Sequence, residues 1–244
     1  MGSTNYHAER IRAALARRKN VHELHWTNIH AARSNLVHGR TFSKLNDFFH
    51  EVGGISLLGE ATRLAHMRKR PVRILEDGPG FGYFIQDWIA LLRKAGVKTN
   101  VSVLSLSEYP SLNGLKKEGI IQELNMGPAE KYVPKQEQDI IVSVFGSVSY
   151  ALRDVQKDHL LKLAHSLSRG GVMLAGLGIK PHESPGSSQW SFLQHPFARK
   201  VSPEEQLYAI ERAFAKRGLV AKFFTFENSD NMPNHLLVVR RPVK

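Results

Sequence analysis

The chain has no cysteine in 244 residues, 3 tryptophans and no long apolar run. Missing cysteine excludes a disulfide framework, a Cys-ligated zinc or iron–sulfur site and a thiolate nucleophile. No apolar stretch approaches the ~18–20 residues that a membrane-spanning helix needs, so no membrane partner is expected. The N-terminal residues lack the apolar core of a signal peptide, and Tyr6 stands where N-myristoylation needs Ser or Thr. A cytoplasmic location is therefore expected. Acidic residues are also scarce: 22 Asp and Glu face 34 Lys and Arg, a net charge of +12. Residues 1–70 hold 12 of those cations and 5 of the carboxylates. Such an excess suits RNA, an anionic substrate or an acidic partner, and is equally compatible with an ordinary solvated surface.

Hydrophobic residues make up 42% and charged residues 23%, which is ordinary for a globular chain of one to two domains. The pattern changes near Pro71. Before it, Tyr6–Lys19 and Val21–Leu36 read as basic helices, and Thr41–Val52 carries a Phe42/Leu45/Phe48/Phe49 stripe that Gly53-Gly54 ends. Ile55–Lys69 continues as a helix that stops against Pro71. After it, short apolar runs (Val72–Leu75, Val101–Leu106, Ile120–Leu124, Asp139–Val144, Val172–Ala175) alternate with helical stretches (Phe84–Ala95, Asp154–Leu167, Pro203–Lys216). Two final runs, Leu219–Phe226 and His235–Arg240, have no helix between them and should pair antiparallel. The expected architecture is α/β, with a helical N-terminal extension over 1–70 and a mostly parallel sheet over 71–244.

The most informative segment is Val72-Arg-Ile-Leu-Glu76-Asp77-Gly78-Pro79-Gly80-Phe81-Gly82. A strand runs into an acidic end, then a G-x-G-x-G turn, then a helix. Glycines there let the backbone approach a ligand at the carboxyl edge of a sheet. A dinucleotide fold wants a small residue next, for close helix packing; Tyr83 counts against NAD or FAD. The segment instead resembles the first motif, E/D-x-G-x-G-x-G, of class I S-adenosylmethionine-dependent methyltransferases. Val101–Ser107 looks like that family's second strand, and Gly127-Pro128-Ala129-Glu130 falls at its adenine turn. Gln138–Ser147 resembles its fourth-strand motif and Leu167–Leu174 its turn into strand five.

The resemblance covers residues 71–244 and implies a Rossmann-like methyltransferase fold, with a seven-stranded, mostly parallel sheet whose last strand is antiparallel. It implies S-adenosylmethionine as cofactor. Glu76 would hold the methionine amino group, while Gly78, Gly80, Phe81 and Gly82 would line its backbone. Ser143 at strand four would border the same site. Two positions depart from the family. Ser105 stands where an acidic residue usually binds the ribose, with Glu108 three residues on, and Pro128 replaces an acidic residue at the adenine turn, leaving the Ala129 N–H as the adenine contact. A serine cannot supply a carboxylate's paired acceptors. Either Glu108 reaches back, or cofactor affinity is weakened, or the fold has stopped binding the cofactor.

Methyl transfer from a sulfonium needs alignment more than a dedicated base, and no metal. A hydroxyl or protonated amine acceptor would want a His, Asp or Glu nearby. The absent cysteine excludes a covalent attack on pyrimidine C5. Ser143-Val-Phe-Gly146 also lacks the Asp/Asn-Pro-Pro-aromatic signature of exocyclic base amine methylation. The irregular stretch 177–201 is long enough to be a substrate lid, and His182 on it and Tyr150 after strand four are the catalytic candidates. His195 is a further possible base; local packing and solvated histidines are the plainer alternative. His22, His25 and His30 spread over ~140° of a helix and form no metal site. Three functions remain open: a methyltransferase acting on an O or N nucleophile of a small molecule or RNA, a catalytically silent methyltransferase-like module that binds RNA or a protein partner, and, third, an oxidoreductase.

Overall fold

The structure is a computed structural model that describes residues 41–106, 108–128, 131–144, 148, 153–177, 203–225 and 235–243. The expected helices over 6–19 and 21–36 lie outside them. Phe42, Leu45, Phe48 and Phe49 fall on one face and are buried, forming α1 (Phe42–Gly53), which ends at Gly54 in the left-handed region. Ser56 then accepts the Gly59 N–H at 3.2 Å and starts α2 (Leu57–Arg68). No strand occurs among the described residues before Pro71.

From there the elements are β1 (Val72–Asp77), α3 (Tyr83–Lys94), β2 (Thr99–Ser105), α4 (Pro110–Lys117), β3 (Glu123–Met126) and β4 (Gln138–Val144). They continue as α5 (Arg153–His165), β5 (Leu167–Leu177), α6 (Pro203–Ala215), β6 (Val220–Thr225) and β7 (His235–Arg240). The sheet order is β3-β2-β1-β4-β5-β7-β6. Neighbours from β3 through to β5 are parallel, and β7 lies antiparallel between β5 and β6. This is the seven-stranded, mostly parallel sheet with an antiparallel last strand that the sequence leads one to expect.

One local reading needs correction, and one helix was not anticipated. The third strand begins at Glu123 rather than Ile120, because Ile120 and Ile121 donate their N–H groups to the Leu115 carbonyl and cap α4 instead. Helix α4 itself gives little periodic signal: it is 8 residues long, opens on Pro110 and contains Gly114.

Alternation along β1 sends Ile74 to one face and Leu75 to the other, and two cores form accordingly. Helices α1 to α4 cover the first with Phe49, Leu64, Trp88 and Leu112; α5 and α6 cover the second with Leu160, Leu163, Ile210 and Phe214. The described part of the N-terminal extension thus shares the sheet's core.

At the amino ends of the strands, Asp139 is fully buried. It takes a two-pronged pair from Arg70 at 2.7 and 3.0 Å, the Arg73 N–H at 2.9 Å and the Ser168 hydroxyl. Burial alone would raise its pKa, but Arg70, the Arg73 N–H and Ser168 outweigh that and hold it below the usual carboxylate range. Gly171 passes so close that a Cβ there would lie 2.8 Å from the Asp139 carbonyl oxygen. One carboxylate therefore ties the end of α2 to β1, β4 and β5.

Asp139→Asn should lower unfolding free energy by about 2–3 kcal/mol, below the ~3–5 of a fully buried pair because Arg70 is partly solvated. The sign with pH follows from a depressed folded pKa. The contribution is whole above the unfolded value near ~3.9 and is lost as pH falls through the folded one. Urea titrations at successive pH values should show the acid loss of stability shrink in the variant.

Candidate functional site

Strand β1 is the only strand with both β2 and β4 beside it, so the chain leaves its two neighbours in opposite directions. That reversal opens a crevice at the carboxyl edge, where open α/β sheets bind ligands. Glu76 and Asp77 end the strand there and are both buried. Glu76 lies level with Val103 on β2 and Val142 on β4.

The turn that follows is held by backbone geometry. The Gly78 N–H donates to the Leu104 carbonyl at 2.9 Å, and the Gly82 N–H to Pro79 at 3.0 Å. Gly78, Gly80 and Gly82 have φ of 78°, 58° and 84°, a region that L side chains rarely adopt. Gly82 is doubly constrained. A Cβ on it would stand 2.7 Å from Leu115 Cδ1 and 2.9 Å from Leu112 Cδ2, so its missing side chain lets α4 pack against the turn. The N-terminus of α3 opens directly from this turn, with orphan N–H groups and the positive end of the helix dipole.

The flanking strand ends complete the edge. Ser105 closes β2, is buried, and receives the Gly127 N–H on its carbonyl at 3.0 Å, so the Gly127-Pro128 turn sits beside it. Phe81 is half-buried, edge-on to Tyr109 with ring centroids 5.2 Å apart, and Tyr83 beyond it is 49% exposed. Six expected residues therefore meet at one edge: Glu76, Gly78, Gly80, Phe81, Gly82 and Ser105. Glu108 is exposed on the loop before α4 and its carboxylate accepts the Asn113 amide at 2.7 Å. Ser143 is fully buried, and its hydroxyl donates to Asp77 at 2.7 Å. Ala129, Tyr150, His182 and residues 178–201 lie outside the described residues.

Asp77 is the residue that sequence reasoning passed over. Beneath the turn it gathers the Ser143 hydroxyl, the Val148 N–H at 3.4 Å and His159 Nε2 at 3.8 Å. Tyr132 lies within reach of its charge. Burial, then the charges of Glu123 and Asp77, push that phenol well above its ordinary value, so it stays protonated. The signal was present as a second carboxylate next to Glu76. A strand residue facing the opposite side of the sheet from a ligand-facing neighbour points into the core, and a buried carboxylate there demands donors. His235, at the start of β7 and level with Leu177, was also passed over; burial lowers its pKa, and its Nδ1 lies 2.9 Å from the Thr225 hydroxyl.

No protein-family model and no curated protein matches the chain. Among solved structures, distant likenesses are found. One is to SAM-bound CalS10, an amino pentose methyltransferase from Micromonospora echinaspora, at 15% identity over 84% of this chain and 99% of that one, TM-score 0.45. Another is to a Burkholderia thailandensis 1,6-didemethyltoxoflavin-N1-methyltransferase with S-adenosylhomocysteine, at 16% identity over 88% and 90%, TM-score 0.46. A third is to the citrinin polyketide synthase CMeT domain, at 15% identity and TM-score 0.47; the match takes in 72% of this chain but spans about half of that chain's length, 48%.

Gly82→Ala should cost at least about 2 kcal/mol, from left-handed strain plus overpacking against Leu112 and Leu115. Asp77→Ala should cost about 2–4 kcal/mol by leaving buried donors without their acceptor. Denaturant midpoints of both variants check this, and Tyr83→Ala, on the exposed rim, should stay within about 0.5 kcal/mol of the parent.

Proposed function

We propose that this chain is a class I S-adenosylmethionine-dependent methyltransferase that transfers a methyl group to an oxygen or nitrogen nucleophile. The observation that carries the reading is one arrangement. A buried carboxylate, Glu76, ends the central strand at the strand-order reversal and is followed at once by a left-handed glycine turn opening a helix. A buried carboxylate suits a ligand's ammonium group, and a glycine turn suits the close passage of a ligand's backbone. The residues fit the methionine half of the cofactor well. For the ribose half they offer the Ser105 hydroxyl, with Glu108 turned to Asn113.

When bound, S-adenosylmethionine supplies an electrophilic methyl group on a sulfonium. Glu76 would anchor the amino acid end, and the Gly78–Gly82 turn with Phe81 would line its backbone. Asp77 and Ser143 act on the floor: by locking β1 to β4 they hold the strand ends in register. Catalysis would then rest mainly on alignment. His182 would take the proton from a hydroxyl or ammonium acceptor, and Tyr150 would face the acceptor with its hydroxyl. The acceptor is a small molecule entering beneath the 177–201 segment, or RNA held by the basic residues of the N-terminal extension. No helix among the described residues is long and apolar enough to cross a membrane, and a cytoplasmic setting goes with this reading.

A second reading has its own observation. Ser105 and Pro128 remove both ribose- and adenine-side carboxylates, which favours a silent module that uses the same fold to bind a macromolecule. Calorimetric titration with S-adenosylmethionine and S-adenosylhomocysteine separates the two. Micromolar binding of both is expected, weakened about 10–100-fold in Glu76→Gln by loss of a charge-assisted bond. Absence of binding to folded protein would establish the silent module instead.

A further inference from the structure

The crossover topology builds a second chemical surface at the opposite pole of the sheet. Each helix returns antiparallel to the strands it connects, so its C-terminus arrives at the amino edge. Helices α2, α3, α4, α5 and α6 end shortly before β1, β2, β3, β5 and β6 begin. Every one of them carries cations in its last turn, among them Arg68, Lys94, Lys117, Lys162 and Arg212. The helix dipole favours cations at those ends and explains part of this pattern. It does not explain Lys98, Arg169 and Arg241, which sit at strand starts and at the end of β7 on the same edge.

Three carboxylates near that edge are already committed, while Glu118, next to Lys117, is exposed. Asp139 is taken by Arg70 and Ser168, Glu60 by Arg63 and Arg240, and Glu137 by Arg241. Lys94, Lys98, Lys117 and Arg169 are exposed, and none of them forms an ion pair among the described residues. Seven strands at ~4.8 Å spacing make the rim about 29 Å long.

We propose that this rim is a docking surface for the phosphate backbone of double-stranded RNA, remote from the carboxyl-edge site. A row of cations of this length matches a polyanion, and Arg169 adds a guanidinium fork that matches phosphate oxygens. Among the described residues the exposed aromatics are Tyr83, beside the glycine turn, and Tyr208, in the first half of α6. Tyr208 has Arg212 over its ring at 5.0 Å, so the described part of the rim offers no row of open rings on which successive single-stranded bases could stack. Among the described residues no helix runs out from it to enter a DNA major groove, whereas an RNA duplex presents its backbone across a wide, shallow minor groove. The inference stands apart from the methyl-donor reading.

The test is fluorescence anisotropy of the full chain with a fluorescein-labelled 20-base-pair RNA duplex over 50–300 mM NaCl. We expect a linear fall of log affinity with log salt. Lys94→Gln/Lys98→Gln/Lys117→Gln/Arg169→Gln should reduce the slope by about 3–4, at ~0.9 per lost contact, and weaken binding at least tenfold at 100 mM salt. A thermal midpoint near the parent's shows that the variant is folded; should it not fold, the Lys94/Lys98 and Lys117/Arg169 double variants carry the same test at half the slope change. Four results would overturn the proposal: affinity within twofold of the parent in folded rim variants, tighter binding of single-stranded RNA of equal length, tighter binding of duplex DNA, or binding to phosphatidylserine vesicles without binding to the duplex.

Discussion

The position of β1 governs the carboxyl edge. It is paired in parallel on both sides, by β2 and β4, and the connections to those neighbours leave in opposite directions. The crevice over its end is therefore unavoidable, and whatever residues end β1 must line it. Here those residues are Glu76 and Asp77, facing opposite sides of the pleat. Glu76 lies at the crevice; Asp77 is engaged by Ser143, Val148 and His159 inside the protein.

The same strand logic sets the other pole. Asp139, at the start of β4, does at the amino edge what Asp77 does at the carboxyl edge: a buried acceptor collects donors from several elements and fixes their relative positions. Its charged partners, however, are Arg68 and Arg70 at the end of α2, and they belong to a wider set of cations that helix C-termini bring to that edge. The sheet is thus polar along its strands, with buried carboxylates and a glycine turn at one end and exposed cations at the other.

Legibility in the sequence followed the range of the interactions involved. The glycine turn was readable because its chemistry is local: an apolar run, an acid, and three glycines that adopt positive φ. Strand alternation and the antiparallel last pair were readable for the same reason. Arg70 and Asp139 are 69 residues apart, and nothing near either announces the other. Helix α4 is 8 residues long and buries only Leu112 and Leu115, too few to mark a period, and Ile120 and Ile121 read as strand because apolarity alone does not separate a pairing segment from a helix cap. Ser143 reads as a ligand contact from its place in the strand-four motif, yet its hydroxyl is turned to Asp77.

The central claim is that the edge formed by Glu76, the Gly78–Gly82 turn and Ser105 holds a methyl donor. The most direct measurement is a crystal structure of the protein grown with S-adenosylhomocysteine. The account predicts the ligand's amino group on the Glu76 carboxylate, its chain along the glycine turn and its ribose facing Ser105. Ligand density at any other place, or a glycine edge still empty at saturating ligand, would contradict it.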